Sequence, residues 1–253
     1  MNARFDAIRA ARRPPGRLLC FVADRWSLAY LATATALFIV HWHLAAIHWP
    51  LVLLACAMTY GCGCILHDQA HLPMWRSPTC NLITECWIVL LRGDGPWSWL
   101  PTHIDNHHRF ANRAGDLVRT SRWGSADHLG TWVMAIVTGL ALYVLAALRF
   151  LWRTLRRRPR CGAILLGQVC LYAGFVTTAW LSDPSKALWL IIVPHGFGLV
   201  TMVATAYPQH HRCDPDNPWR MARDFTGRLN NLLHFNHGFH TVHHLDRTLH
   251  WSE

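Results

Sequence analysis

His240-Thr241-Val242-His243-His244 puts three imidazoles within five residues, and two similar clusters lie upstream. They are His67-Asp68-Gln69-Ala70-His71 and His103-Ile104-Asp105-Asn106-His107-His108. On an α-helix, offsets of three and four bring side chains to one face about a turn apart. Such a face aims several nitrogen ligands at one point. Imidazole suits zinc, copper, iron and nickel, whereas a structural zinc takes only four ligands. The clusters supply eight imidazoles, and His210 of Gln209-His210-His211 adds a ninth. That number suits two metal ions with coordination positions left open. Spacing alone does not choose the metal.

The carboxylates and amides in or near the clusters, Asp68, Asp105, Asn106, Asp116 and Asn236, are the candidates for fixing the imidazole tautomers. The remaining histidines have quieter readings. His234 and His237, beside the third cluster, are read as minor ligand candidates. His128, His195 and His250 are read as structural or interfacial, and Trp97, Trp99 and Trp123 as anchors at a membrane surface. The nine cysteines contain no C-x-x-C pair, and their odd number argues against a disulfide framework. Cys62-x-Cys64 is read as small-residue packing.

The elements that must position these groups are apolar. Hydrophobic residues make up 52% of the chain and charged ones 15%, a balance that points to a membrane protein. Spans are expected at about 27–47, 49–66, 161–181 and 187–207, each near the roughly 20 residues a crossing needs. The connection His41-Trp42-His43 to His48-Trp49-Pro50 carries no Lys or Arg, as expected of a turn at the non-cytoplasmic interface. Residues 67–127 hold Gly/Pro breaks and mixed charge, and read as a polar, partly helical section outside the hydrocarbon. The expected fold is all-α and integral to the membrane. It has two transmembrane hairpins, one further apolar helix at about 128–151, and a helical cytoplasmic cap carrying the histidines. Residues 1–25 form a basic cytoplasmic N-terminus, and 26–253 form one domain.

Charge and topology agree. The net charge is +10, and Lys186 is the one basic residue that is not arginine. Arg149, Arg153, Arg156, Arg157, Arg158 and Arg160 cluster between two apolar segments and belong in the cytoplasm by the positive-inside rule. If all clusters share one side, an even number of spans separates His108 from His210. The segment 131–148 therefore lies in the interface or dips in and returns. This places the arginines at anionic headgroups and removes the need for a nucleic-acid partner.

The three boxes H-x3-H, H-x3-H-H and H-x2-H-H resemble those of the integral-membrane fatty acid desaturase and hydroxylase superfamily. Asn236-x-Gly238-Phe239-His240-Thr241-Val242-His243-His244, followed by Leu249-His250-Trp251-Ser252-Glu253, is similar to the third box of its bacterial desaturases. The resemblance covers about residues 60–253. It implies two non-haem irons held by His67, His71, His103, His107, His108, His240, His243 and His244, with His210 matching an additional ligand. Relatives often carry Asn where this chain has Ala206. The resemblance further implies O2 as co-substrate and a separate ferredoxin or cytochrome b5-type electron donor. The implied substrate is a fatty acyl lipid or acyl thioester, and the implied location the inner membrane of a bacterium with the site on the cytoplasmic side. Desaturation is the expected reaction. A fatty acyl or carotenoid hydroxylase or ketolase of the same superfamily is the alternative. A His-rich metal transporter fits less well, since ligands along a pathway belong inside spans.

Overall fold

The computed structural model describes residues 18–124 and 126–253. Arginines 4, 9, 12, 13 and 17 of the expected basic N-terminus lie outside these. Among the described residues the chain is helical and forms no strand, apart from an isolated antiparallel bridge between Leu19 and Trp75.

Helix α1 (Asp24–His43) and helix α2 (Trp49–His71) form the first hairpin. Helix α2 starts on Pro50, whose missing N–H costs nothing in the first turn. It is apolar on every face, as a helix buried among others must be. Gly61 and Gly63 let neighbours approach closely: a Cβ at the first would overlap the Tyr30 ring, and one at the second the Arg92 guanidinium. Helix α3 (Pro78–Arg92) begins with Ser77 Oγ accepting from Cys80 N at 3.3 Å and ends on Gly93 at φ 85°. It packs against α1 and α2.

Helix α4 (Pro96–Trp99) runs into a π-helical turn, Leu100–His107, and then α5 (His108–Phe110). Pro101 has no N–H to continue the α-helical ladder, and Thr102 Oγ1 bonds the Ser98 carbonyl at 2.6 Å. Wider turns of this kind recur at functional sites. Helix α6 (Leu129–Arg157) is followed by α7 (Pro159–Ser182), α8 (Pro184–Ala187) and, through a π turn at Leu188–Ile192, α9 (Val193–His210). Two short helices, α10 (Arg228–Leu233) and α11 (His240–Leu245), complete the chain.

Four stretches are long and apolar enough to cross a bilayer: Trp49–His71, Leu129–Arg157, Pro159–Ser182 and Pro184–His210. Helix α1 is not among them, yet it runs the height of the bundle. Asp24 at the start of α1 sits beside His250 and Trp251, and Lys186 Nζ at the far end bonds the Trp42 and Leu44 carbonyls. Helix α1 thus joins both ends, although its histidines and hydroxyl groups lower its hydropathy. The start of helix α6 is tied to the end of α9, Asp127 and His211 lying 2.6 Å apart, and its last turn packs on Gly162 of α7. It is one helix of 29 residues that runs unbroken through Gly139, so the dip-and-return alternative for 131–148 is corrected: the chain does not reverse there.

Candidate metal centre

The nine histidines come together in two groups. His67, His71, His103, His108 and His243 form one; His107, His210, His240 and His244 form the other. In the second group the Nε2 atoms trace a closed square with edges of 3.1 Å (His107–His210), 2.9 Å (His210–His240), 3.2 Å (His240–His244) and 3.2 Å (His244–His107). The centre of such a square lies about 2.2 Å from each corner, close to an ordinary metal–imidazole bond. In the first group His71, His103 and His108 form a triangle with edges of 3.2, 3.0 and 3.1 Å. His243 lies 2.9 Å from His108 and 3.0 Å from His67. Edges of this length subtend roughly 90–100° at arms of about 2.1 Å.

Hydrogen bonds on the outer nitrogens decide which way the lone pairs face. His210 Nδ1 lies 3.0 Å from the Met221 carbonyl, which only accepts, so that nitrogen carries the proton. His107 Nδ1 lies 2.9 Å from Asp116 Oδ2, and His67 Nδ1 lies 3.2 Å from Asp68 Oδ1. The inner Nε2 atoms of His107 and His210 then face each other at 3.1 Å, and lone pairs that meet there have no hydrogen to share. A cation at the centre of the square resolves that conflict. The donor set therefore fits two ions.

Burial, followed by the neighbouring imidazoles, pushes His103, His240, His243 and His244 well below the usual histidine value of 6.5, and His108 down to about 2. These rings stay neutral at pH 7 and present lone pairs without first losing protons. The sign follows from a folded value below the unfolded one. The folded chain binds fewer protons, so stability is present above pH 6.5 and is lost as pH falls toward the folded values. Metal-free protein is expected to melt at progressively lower temperature from pH 7 to pH 5. A melting temperature that stays constant or rises over that interval contradicts this.

The boxes do not divide as one helix face each. His71 follows His67 by one α-helical turn on α2, and both join the same group. In the second box the π turn pairs His103 with His108 and sends His107 to the other group. On α11, His240 and His244 share a group, and His243 points to the first. The expectation that each box lines up on one face is corrected for the last two.

Of the tautomer-fixing candidates, Asp68 and Asp116 touch box histidines. Asp116 is fully buried and also accepts from Asn112 N at 2.7 Å and Val118 N at 3.0 Å. Burial alone would raise its pKa, but the electrostatic interaction with His107 and these hydrogen bonds hold it below the ordinary carboxylate value. Three candidates play other roles. Asp105 is exposed on the outside of the π turn. Asn106 braces the following loop through the Gly115 carbonyl and Leu117 N, and Asn236, at φ 56°, bonds the Trp251 carbonyl. His237 lies beside the first group, 3.5 Å from Asp68. His210 joins the four-histidine group, whereas its neighbour His211 turns away to Asp127.

Two supports have no signal in the sequence. The Met221 carbonyl is backbone, and its use depends on a loop returning to α9. Trp99 is 4% exposed, and its ring lies 5.8 Å from His67 and 5.3 Å from His103. It is a wall of the centre rather than the surface anchor expected of it. Thr241 ties the third box down, its N–H donating to Asp224 at 2.7 Å and its hydroxyl to the Ala222 carbonyl at 3.0 Å.

A sequence model of the fatty acid desaturase family matches residues 41–253. The chain belongs to the fatty acid desaturase family. No curated protein and no solved structure shows significant similarity to it. Membership in this oxidoreductase family accounts for the apolar helices and the histidine boxes together, and implies a membrane setting and a lipid or acyl substrate. In this chain the apolar helices form a scaffold, and the nine box-related histidines collect at one end of it.

Proposed function

We propose that this chain is a membrane-bound, O2-dependent fatty acyl desaturase that holds two irons with nine histidines. The observation that carries this reading is the pairing of five and four imidazoles with the family match. Irons bound there would supply the oxidising power to take hydrogen from an unactivated C–H bond. Electrons would come from a separate ferredoxin or cytochrome b5-type donor. Asp68 and Asp116 hold the outer nitrogens of His67 and His107, and so keep the inner ones turned to the metal.

The substrate's task is to reach these groups. A cavity of about 80 Å³ adjoins His67, His103, His107 and His240 and is walled by Trp99, Leu199, Met202 and Val203. A methylene offers no polar handle, so shape and water exclusion position it there. Lipids from cells expressing the protein are expected to gain a double bond, and cells with His243→Ala none. A hydroxylated or keto product instead would assign hydroxylation, and an unchanged product in His243→Ala would remove that residue from the ligands.

We also propose that the histidine end faces the cytoplasm of a bacterial inner membrane, with α6 in the interface. The arginines from 149 to 160 fall in the last turns of α6 and the first turn of α7, the kind of basic cluster that favours the cytoplasm. A reporter fused after Arg160 is expected to read as cytoplasmic. A periplasmic signal would overturn the placement.

A further inference from the structure

We propose that the buried Arg92–Asp94–Tyr143 network is the inner end stop of the substrate cavity. It would fix how many carbons of an acyl chain lie beyond the oxidised position. This rests on the fatty acyl reading above, and it assigns a specificity role to residues outside the histidine boxes.

The network lies just inward of the first box, in the wall of the histidine-side cavity. Arg92 ends α3, and its Nη1 lies 3.4 Å from the carbonyl of Thr59, twelve residues before His71 on α2. Thr59 is eight residues before His67, so this is about 12 Å of helix rise from the first box. The Arg92 side chain is fully buried, with Nε 2.6 Å from Asp94 Oδ1 and Nη2 3.4 Å from Oδ2. Tyr143 of α6 places its hydroxyl 2.8 Å from Asp94 Oδ2 and 2.7 Å from Ser98 Oγ. A buried ion pair carries a large desolvation cost, and ionisable residues among membrane helices mark functional positions. Gly63 leaves α2 without a side chain where the guanidinium rests, so the neighbouring helix is shaped to admit it.

What the network separates suggests its role. On one side lies the cavity of about 80 Å³ against the histidines, with Arg92 and Tyr143 in its wall. On the other lies a larger one of about 260 Å³, lined by residues such as Phe38, Met58, Thr59, Leu91 and Phe175. No residue lines both, and no box histidine lines the second. Arg92 bonds the Thr59 carbonyl and follows Leu91, so it stands between them. An acyl chain entering from the histidine side meets a charged wall before it can use the apolar room behind. A methyl terminus gains nothing by displacing a paired guanidinium, so the chain stops there.

The test uses the full chain in lipid nanodiscs and a fatty acid carrying a diazirine at its methyl end, with photolabelled peptides located by mass spectrometry. In the wild type the label is expected on the histidine-side wall, at Met202 and Val203. In the double variant R92A/D94N it is expected to shift to Met58, Phe38 and Phe175. Changing both residues avoids leaving a carboxylate buried alone. Adding Met58→Trp to fill the second cavity is expected to reverse the shift. Label at Met58 in the wild type, no label at Met202, or an unchanged pattern in the double variant would each overturn the stop. The wild-type pattern decides even if the variant fails to fold. Labelling needs no turnover: label at Met202 without oxidised lipid would sink the desaturase reading alone, and oxidised lipid without that label would sink the stop alone.

Discussion

His210→Ala is expected to leave about one metal ion per chain instead of two, and to lower product formation by at least about a hundredfold. The square of Nε2 atoms loses a corner, while the five imidazoles of the other group keep every member. Loss of a mere outer-sphere partner commonly costs about 10–100-fold in metal affinity or activity. A directly bound imidazole should cost at least the upper end of that range. Metal analysis of purified protein and lipid analysis of the expressing cells check both halves. Two ions retained, with product at wild-type level, would remove His210 from the centre. His211→Ala is the contrasting variant: it breaks the tie to Asp127 but removes no corner.

Asp116→Ala is expected to weaken metal binding at the four-histidine position by about 10–100-fold while sparing the five-histidine one. Asp116 holds His107 Nδ1 and accepts from two backbone amides, all in a site with no exposure. Those amides lose their partner too, at about 1–3 kcal/mol for each buried group left unsatisfied. Asp105→Ala, four residues after Pro101 yet exposed, should change neither quantity. Titrating metal into metal-free protein distinguishes the two variants. Equal affinity in wild type and Asp116→Ala would show that this carboxylate does not orient His107.

The sequence made the ligand types and most of the architecture legible, because three local clusters of histidine sit beside long apolar runs. The same nine histidines named from spacing are the nine that gather in the two groups. Their division between the groups was not legible. A helix assumed to be α-helical puts His103 and His107 on one face, whereas the π turn around Pro101 pairs His103 with His108. The outer partners were legible only where a carboxylate lay beside a box, as Asp68 and Asp116 do; the Met221 carbonyl carries no residue-type signal.

The apolar helices taught a related lesson. Hydropathy alone passes over α1, yet contacts at its ends show that α1 joins the two ends of the bundle. The polar section at 67–127 is where the sequence misled most. Its charges suggested a place outside the hydrocarbon, but α3 packs among the long helices and delivers Arg92 to the level of Thr59. Paired with Asp94, that charge is accommodated inside, and pairing across the fold cannot be read from composition.

The central claim is that the nine histidines hold two irons. Metal content per chain, measured on wild-type protein purified in membrane-mimetic lipid without added metal, tests it most directly. Two irons per chain, falling to about one in His210→Ala, is the expected result. One zinc per chain, unaffected by that substitution, would contradict it.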